Sequence, residues 1–198
     1  PNTIVRIGSH SFYEASSLEE INVKYGVKYI GRGAFTNCEK LKAISIPDSV
    51  THIGASAFNC SGLESIVIPD SVIYEDVRNA GSTNPFSADG LFQSCESLKS
   101  VTLPSNIKTI GKSAFSWCES LESIVIPDSV ETIEADAFKF CTKLENIEIP
   151  EGVTTIGTSA FVGCEKLINI YIPDSVVSMS KSAFSTSTNS NRLASISL

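Results

Sequence analysis

The chain has 198 residues, 42% of them hydrophobic and 19% charged, which is an ordinary composition for a soluble globular protein. No stretch approaches the roughly 18 consecutive apolar residues that a membrane-spanning helix needs, and the N-terminus lacks the basic and apolar regions of a signal peptide. The formal net charge is −7, and the 15 basic residues are scattered among 22 acidic ones, which argues against a nucleic-acid partner because phosphate binding needs clustered Lys and Arg.

One phrase recurs along the whole chain, and its spacing predicts the architecture. Successive copies lie 23 residues apart, except for one interval of 34 residues in the middle. A fixed period of this size is typical of a solenoid, in which each repeat packs on its neighbours. The sequence therefore predicts a single domain over residues 1–198, built from about eight stacked coils. Each copy is anchored by one phenylalanine: Phe12, Phe35, Phe58, Phe92, Phe115, Phe138, Phe161 and Phe184.

Each period contains a short strand, a turn and a return segment. Apolar and polar side chains alternate over residues 41–46, as in a half-buried strand. Pro47 cannot donate to a strand ladder, so the strand ends there in a Pro-Asp-Ser turn. Val50 and Ile53 then re-enter the core, and residues 55–60 suit a short helical turn or an irregular segment. A single coil cannot bury its apolar face, whereas stacked coils can.

The repeat departs from its pattern in the middle and at both ends. One residue is missing between Phe58 and Cys60, and about 12 residues are added after Val72, which predicts an inserted loop over about residues 74–90. The first and last repeats are degenerate, as capping repeats commonly are. The apolar strand at residues 196–198 would leave an exposed edge, so we expect the chain to be part of a longer protein.

The pattern LxxIxIPxSVxxIGxxAFxxC resembles the BspA-like type of leucine-rich repeat, which is found in microbial surface and secreted proteins. The resemblance covers about residues 4–198. It implies a right-handed, curved solenoid with a parallel β-sheet on the concave face and short helical turns or irregular segments elsewhere. It also implies a secreted or cell-surface location, no catalysis and no cofactor, and a use in recognising a protein or glycan of a host, a matrix or another cell surface.

The six cysteines are predicted to be free thiols in the core. No CxxC motif and no Cys–His pair has the spacing of a zinc site. Disulfides between neighbouring coils stay an alternative, since stacked strands lie only about 4.8 Å apart. Buried cysteine commonly behaves as a small hydrophobic residue, which favours thiols. All six follow a repeat phenylalanine by two or three residues: Cys38, Cys60, Cys95, Cys118, Cys141 and Cys164.

Neither the histidines nor the recurring aspartates predict a catalytic or metal site. His10 and His52 stand where other repeats carry varied polar residues, which indicates exposure rather than the fixed position that a general base needs. The aspartate of each Pro-Asp-Ser turn could attract Ca²⁺. One carboxylate per coil rarely converges on a single ion, however, and the turn itself explains the aspartate.

Trp117 and Phe140 occupy equivalent positions in adjacent repeats, where other repeats carry Asn, Ser or Gly. Two interpretations are open. The pair forms an exposed aromatic patch that binds a partner, or the two rings simply stack on each other.

Strand alternation predicts which side chains of the sheet face a partner. The outward pairs are Glu20/Asn22, Ala43/Ser45, Ser65/Val67, Ser100/Thr102, Ser123/Val125, Asn146/Glu148, Asn169/Tyr171 and Ser195/Ser197. Small residues in the middle let a partner approach closely, while amides and a tyrosine near the C-terminus offer hydrogen bonds and apolar area. The predicted partner-binding residues are Asn146, Glu148, Asn169 and Tyr171 on the sheet, and Tyr74, Arg78 and Phe86 on the insertion.

The function predicted from these observations is a non-catalytic recognition or adhesion module that binds a protein or glycan partner through the solenoid surface. The alternative is a passive structural spacer or targeting repeat of a larger surface protein. A binding module varies its exposed positions while its core stays constant, and the outward pairs of this chain do vary. That variation favours binding.

Overall fold

A computed structural model describes residues 3–72, 90–180 and 182–185, together with the backbone of residues 195–197. The chain forms a parallel-strand solenoid of about seven turns. The described residues contain short strands joined by turns, and no helix. In chain order the strands are β1 (Arg6–Ile7), β2 (Glu20–Asn22), β3 (Tyr29–Ile30), β4 (Ala43–Ser45), β5 (His52–Ile53), β6 (Ser65–Val67), β7 (Ser100–Thr102), β8 (Thr109–Ile110), β9 (Thr132–Ile133), β10 (Thr155–Ile156), β11 (Asn169–Tyr171), β12 (Ser178–Met179) and β13 (Ser195–Ser197).

The strands lie on two faces of the solenoid. The front face consists of β2, β4, β6, β7, β11 and β13 with the parallel bridge between Ser123 and Asn146, and it is the sheet that the sequence predicts. The side face consists of the two-residue strands, paired in the orders β1-β3-β5 and β12-β10-β9-β8. On both faces equivalent residues of successive coils lie side by side, as in the pairing of Ile21 with Ile44 and of Ile30 with Ile53. The 23-residue period thus becomes a structural register.

A continuous stack of phenylalanine rings runs through the core. All eight anchor rings take part, with centroids 5.1 to 5.7 Å apart and planes within 12° of parallel. The rings of Phe58 and Phe92 keep this spacing, at 5.6 Å, although 34 residues separate them in the chain. Strands β6 and β7 also pair directly across that interval. The added residues therefore do not separate the coils on either side.

Stacked turns, rather than short helical turns, carry the chain past each phenylalanine. Ala34 N–H donates to Gly31 O within its own coil (3.2 Å), whereas Phe35 N–H donates to Ala57 O of the next coil (2.8 Å). This alternation recurs along the stack because left-handed residues flank each phenylalanine, a conformation uncommon outside glycine. Positive φ is found two residues before it at His10, Gly33, Ser56, Gly90, Ser113, Asp136 and Ser159, and two residues after it at Glu14, Asn37, Cys60, Ser94, Trp117, Phe140 and Gly163.

The one-residue deletion does not lie between Phe58 and Cys60, so that prediction is wrong. Cys60 N–H donates to Gln93 O of the next coil at 2.8 Å. Asn37 N–H donates to Asn59 O in the same way, at 3.0 Å. Both residues also have positive φ. Cys60 is therefore the structural equivalent of Asn37, on the outer side of the turn.

The missing residue lies instead between Ser61 and Leu63. Ser61 is buried and occupies the core position that Cys38 holds one coil earlier. Gly62 then follows a shortened path so close to Glu39 O that a Cβ atom on it would collide with that oxygen. Glycine is needed here because two backbones approach each other directly.

Candidate recognition surfaces

The predicted alternation of the front face is confirmed. In β4, β6, β7 and β11 the central residue is buried and both neighbours are exposed. Every outward pair from Glu20/Asn22 to Asn169/Tyr171 is exposed to solvent. The side chains of Ser195 and Ser197 lie outside the described part. The front face thus presents two columns of side chains that a partner can reach.

The four predicted partner-binding residues of the sheet lie together near its C-terminal end. Asn146 and Glu148 are exposed on one coil, and Asn169 and Tyr171 are exposed on the next. Half of the Tyr171 surface is accessible, at 51%. Strand β11 pairs with β13 on its far side, so the backbone beneath these side chains is held in the sheet.

Ion pairs between coils line the edge of the front face. Lys99 Nζ lies 2.9 Å from Glu64 Oε2, and Lys166 Nζ lies 2.7 Å from Glu145 Oε1. The hydrogen bond from Lys99 lowers the pKa of Glu64, and the hydrogen bond to Glu145 raises the pKa of Lys166. These pairs are exposed, so they contribute little to stability. They give the face the polar rim that is usual at protein interfaces.

The insertion residues Tyr74, Arg78 and Phe86 lie outside the described residues, as does the predicted loop over 74–90 apart from Gly90. Its role as a second contact therefore stays a prediction. The described chain stops at Val72 and resumes at Gly90. The added residues thus leave and rejoin the coil beyond the front-face strand, at the level of the side face.

The aromatic rings of Trp117 and Phe140 contact each other and are also partly exposed. Their centroids lie 4.2 Å apart with an angle of 35° between the planes, and 42% of the Trp117 surface is accessible. Both residues have positive φ, of 64° and 58°. A left-handed backbone costs a bulky residue roughly 1 kcal/mol or more relative to glycine. The two sequence interpretations are therefore not exclusive: the rings stack, and one stays accessible.

The thiols form a second ladder beside the phenylalanine stack. Each thiol of this ladder donates a hydrogen bond to the phenylalanine carbonyl of the preceding coil, as Cys118 Sγ does to Phe92 O at 3.1 Å. All six cysteines are free, and four are buried. The prediction that all six are buried is wrong for Cys60 and Cys164, which are half-buried. The donors of the ladder are Cys38, Cys95, Cys118, Cys141 and Cys164.

The repeat register, the thiol ladder and the phenylalanine stack together identify the family. The family model described as the BspA type leucine-rich repeat region matches residues 1–78 and 88–194, with six copies. The chain belongs to the BspA-type leucine-rich repeat family. Within this family and fold, proteins are typically non-catalytic.

Solved structures of other leucine-rich repeat proteins are similar to this BspA-type chain. A leucine-rich repeat protein from Bacteroides ovatus ATCC 8483 is 35% identical, with a TM-score of 0.82 over 93% of this chain and 45% of that one. The leucine-rich repeat protein of T. pallidum is 28% identical, with a TM-score of 0.56 over 88% of this chain and 66% of that one. The chain thus spans less than half the length of the first and about two thirds of the second. No curated protein matches it.

Burial keeps the thiols of this BspA-type ladder protonated. It raises the pKa of Cys95 and of Cys164 to about 12, and it raises the pKa of Cys118 and Cys141 well above the ordinary value. The thiolate is the nucleophilic form of cysteine. At neutral pH these residues therefore act as small hydrogen-bonding core side chains rather than as catalytic groups.

Thiol titration should separate the cysteines into classes. We expect six reactive thiols in the denatured protein without reductant, because all six are free. In the native protein we expect Cys60 to react first, since it lies outside the ladder and its thiol bonds only to the neighbouring Asn59 Oδ1 at 2.8 Å. Fewer than six thiols after denaturation would contradict free cysteines, and Cys60→Ser identifies the fast phase.

The histidines have different surroundings from each other. His10 is exposed, as predicted, whereas His52 is half-buried, which corrects the prediction that it is exposed. Its ring stacks on Tyr29 at 4.7 Å, and its Nδ1 lies 2.8 Å from Thr51 Oγ1. The guanidinium of Arg6 covers the Tyr29 ring at 4.3 Å. His52 thus belongs to a stack of side chains on the side face.

The recurring aspartates act in the turns where the structure shows their contacts. Asp70 Oδ1 accepts a hydrogen bond from Ser105 N–H of the next coil at 2.7 Å. Among the described residues, no group of three or more His, Cys, Asp or Glu side chains is placed to hold a metal ion. The same part of the chain contains no helix long and apolar enough to cross a bilayer.

Proposed function

We propose that this domain is a non-catalytic recognition module that binds a protein partner through the C-terminal part of its front face, as part of a secreted or cell-surface protein. The observation that carries the proposal is the cluster of exposed Asn146, Glu148, Asn169 and Tyr171 on two adjacent coils. A leucine-rich repeat solenoid is well suited to such a role because stacked repeats create an extended surface.

The side chains of this cluster suit the centre of an interface. Tyrosine is enriched among the residues that dominate binding energy, since it supplies apolar area and a hydroxyl group with few rotatable bonds. Tyr171 stands on a strand whose central residue, Ile170, is buried in the core. The backbone under it is therefore already ordered, and binding need not meet the entropic cost of ordering it.

The middle of the front face can extend the contact area. Its outward residues are small, and two exposed valines, Val67 and Val125, add apolar surface at 61% and 82% accessibility. Exposed apolar side chains grouped on one face are typical of interaction sites. With coils about 4.8 Å apart, a standard interface of roughly 800 Å² per partner would span several of them.

Two substitutions test the proposal once a partner has been captured by cross-linking to the intact domain. Tyr171→Ala and Asn146→Ala are each expected to weaken that partner's binding by about tenfold or more, which corresponds to roughly 1.4 kcal/mol. Because both side chains are exposed, neither variant should lower the melting temperature. Val177→Ala is the matched control, since Val177 is 84% exposed and lies beside the side-face strand β12. Biolayer interferometry and thermal denaturation provide the two measurements.

Three outcomes would contradict the proposal. Unchanged affinity in both variants would move the site off this part of the front face. A partner retained on a glycan array, but not among proteins, would make the module a glycan-binding one. The absence of any specific partner would favour the passive spacer instead.

A further inference from the structure

We propose that Trp117 and Phe140 form a second binding site, a platform on which a neutral pyranose ring of a glycan packs against the exposed indole. This platform lies on the turn that follows each anchor phenylalanine, away from the outward pairs of the front face. It does not depend on the proposed protein-binding function, and it can be tested separately.

The backbone at this position is poorly suited to aromatic residues. Trp117 and Phe140 occupy a left-handed position that Asn37, Ser94 and Gly163 hold in other coils. Small polar residues and glycine adopt this conformation with least strain. Two bulky side chains in successive coils are therefore a local departure from what the turn favours, and strained positions of this kind cluster at functional sites.

Three consecutive coils are adapted to the aromatic pair. Gly163 leaves space for the ring of Phe140, because a Cβ atom on Gly163 would collide with that ring. Phe140 in turn supports the indole of Trp117 from the same side, with ring centroids 4.2 Å apart. The preceding coil carries Ser94, whose side chain is too short to cover an indole. One face of the indole is thus supported and the other is left open.

Polar groups surround the aromatic pair. Lys139 lies beside it, since its carbonyl accepts the Trp117 N–H at 2.7 Å. The Lys139 Nζ is 3.1 Å from Asp136 Oδ1 and 5.8 Å from the centre of the Phe140 ring. Both side chains of this ion pair are about one-third exposed. They place a donor and an acceptor near the ring edges, where the hydroxyl groups of a sugar would lie.

This arrangement fits a pyranose better than other ligands. A pyranose ring has a face of C–H bonds that packs flat on an aromatic plane, while its hydroxyl groups point outward to polar partners. A nucleic-acid base could also stack on an indole, but the net charge of −7 disfavours a phosphate backbone. An apolar peptide side chain needs a recess, whereas Trp117 offers an open plane. A neutral glycan needs only this plane and its polar edge.

Intrinsic fluorescence tests the proposal directly, because Trp117 is the single tryptophan of the chain. The probes are cellotetraose, mannotetraose and tetra-N-acetylchitotetraose, each titrated up to about 10 mM, where a site with a millimolar Kd is largely filled. We expect a saturable change of emission intensity or wavelength with at least one of them. No change with any of the three sugars would overturn the proposal. A change with a proline-rich peptide, but not with the sugars, would also overturn it and assign the platform to proteins.

A pair of variants separates binding from packing. Trp117→Asn introduces the residue that stands at the equivalent position in Asn37, where it also has positive φ. Because Trp117 carries no emission in this variant, binding of the sugar that perturbs the wild-type protein is followed by ligand-observed NMR. We expect that binding to weaken at least about tenfold, while the melting temperature stays unchanged or rises. Trp117→Phe should retain part of the affinity. A clear loss of thermal stability in Trp117→Asn, or unchanged sugar binding, would show that the pair is structural packing and would overturn the proposal.

Discussion

Replacing Phe115 with alanine is expected to lower the free energy of unfolding by about 4 kcal/mol, within the range of 3 to 5 kcal/mol seen for buried Phe→Ala changes. The Phe115 ring is fully buried, and it stacks on Phe92 at 5.5 Å and on Phe138 at 5.4 Å. Its removal leaves a cavity and breaks two contacts between coils. Urea denaturation followed by Trp117 fluorescence measures the effect two residues from the change.

The matched control is Phe12→Ala. Phe12 has one ring neighbour, Phe35, at 5.2 Å, and it is only half-buried. It also lines a cavity of about 210 Å³ at the N-terminal end of the described stack, together with Ile7 and Ile21. Because coils stabilise each other through nearest neighbours, we expect a loss clearly smaller than that of Phe115→Ala. Equal losses in the two variants would contradict the stack as the main link between coils.

Alkaline pH is expected to destabilise the domain through its buried thiols. In the unfolded chain a thiol ionises near pH 8.5, whereas burial raises the pKa of folded Cys95 to about 12 and that of Cys118 and Cys141 well above the ordinary value. The folded state therefore binds more protons than the unfolded state above pH 8.5. The stabilisation is fully present below that pH and is lost as pH rises towards 12. Each such thiol contributes a loss of up to about 1.4 kcal/mol per pH unit.

Urea denaturation at pH 8, 9 and 10 in the presence of reductant measures this dependence. Cys118→Ser is the matched control, since a serine hydroxyl does not titrate in this range and can also donate to Phe92 O. Ser61 already occupies the equivalent position one coil before Cys95. The variant should show a shallower loss of stability with pH, because lysine and tyrosine titrate equally in both proteins. Identical slopes would contradict the role of the buried thiols.

The sequence by itself determined the solenoid, its core and the outward pairs of the front face. These features depend on local repetition: a 23-residue period places equivalent residues side by side, and alternation within a strand sends neighbours to opposite faces. Residues such as Ile44 and Phe115 could therefore be assigned to the core, and Ser45 and Tyr171 to the surface, from spacing alone. The family resemblance followed from the same pattern.

Only the tertiary structure decided which residue aligns with which where the spacing changes. From the sequence, Cys60 appears to share the position of the other cysteines, but hydrogen bonds between coils align it with Asn37 and place Ser61 in the core. A residue count cannot locate a deletion, because the backbone can shorten anywhere that glycine allows two chains to approach, as Gly62 does here.

The left-handed turns and the contacts between exposed side chains also required the structure. The backbone around each phenylalanine depends on hydrogen bonds to the next coil, which local propensity does not include. The same is true of the stack of His52 on Tyr29 and of Trp117 on Phe140, whose members lie 23 residues apart in the chain. Sequence spacing brought these rings to adjacent coils, but rotamers and packing between coils decided that they touch.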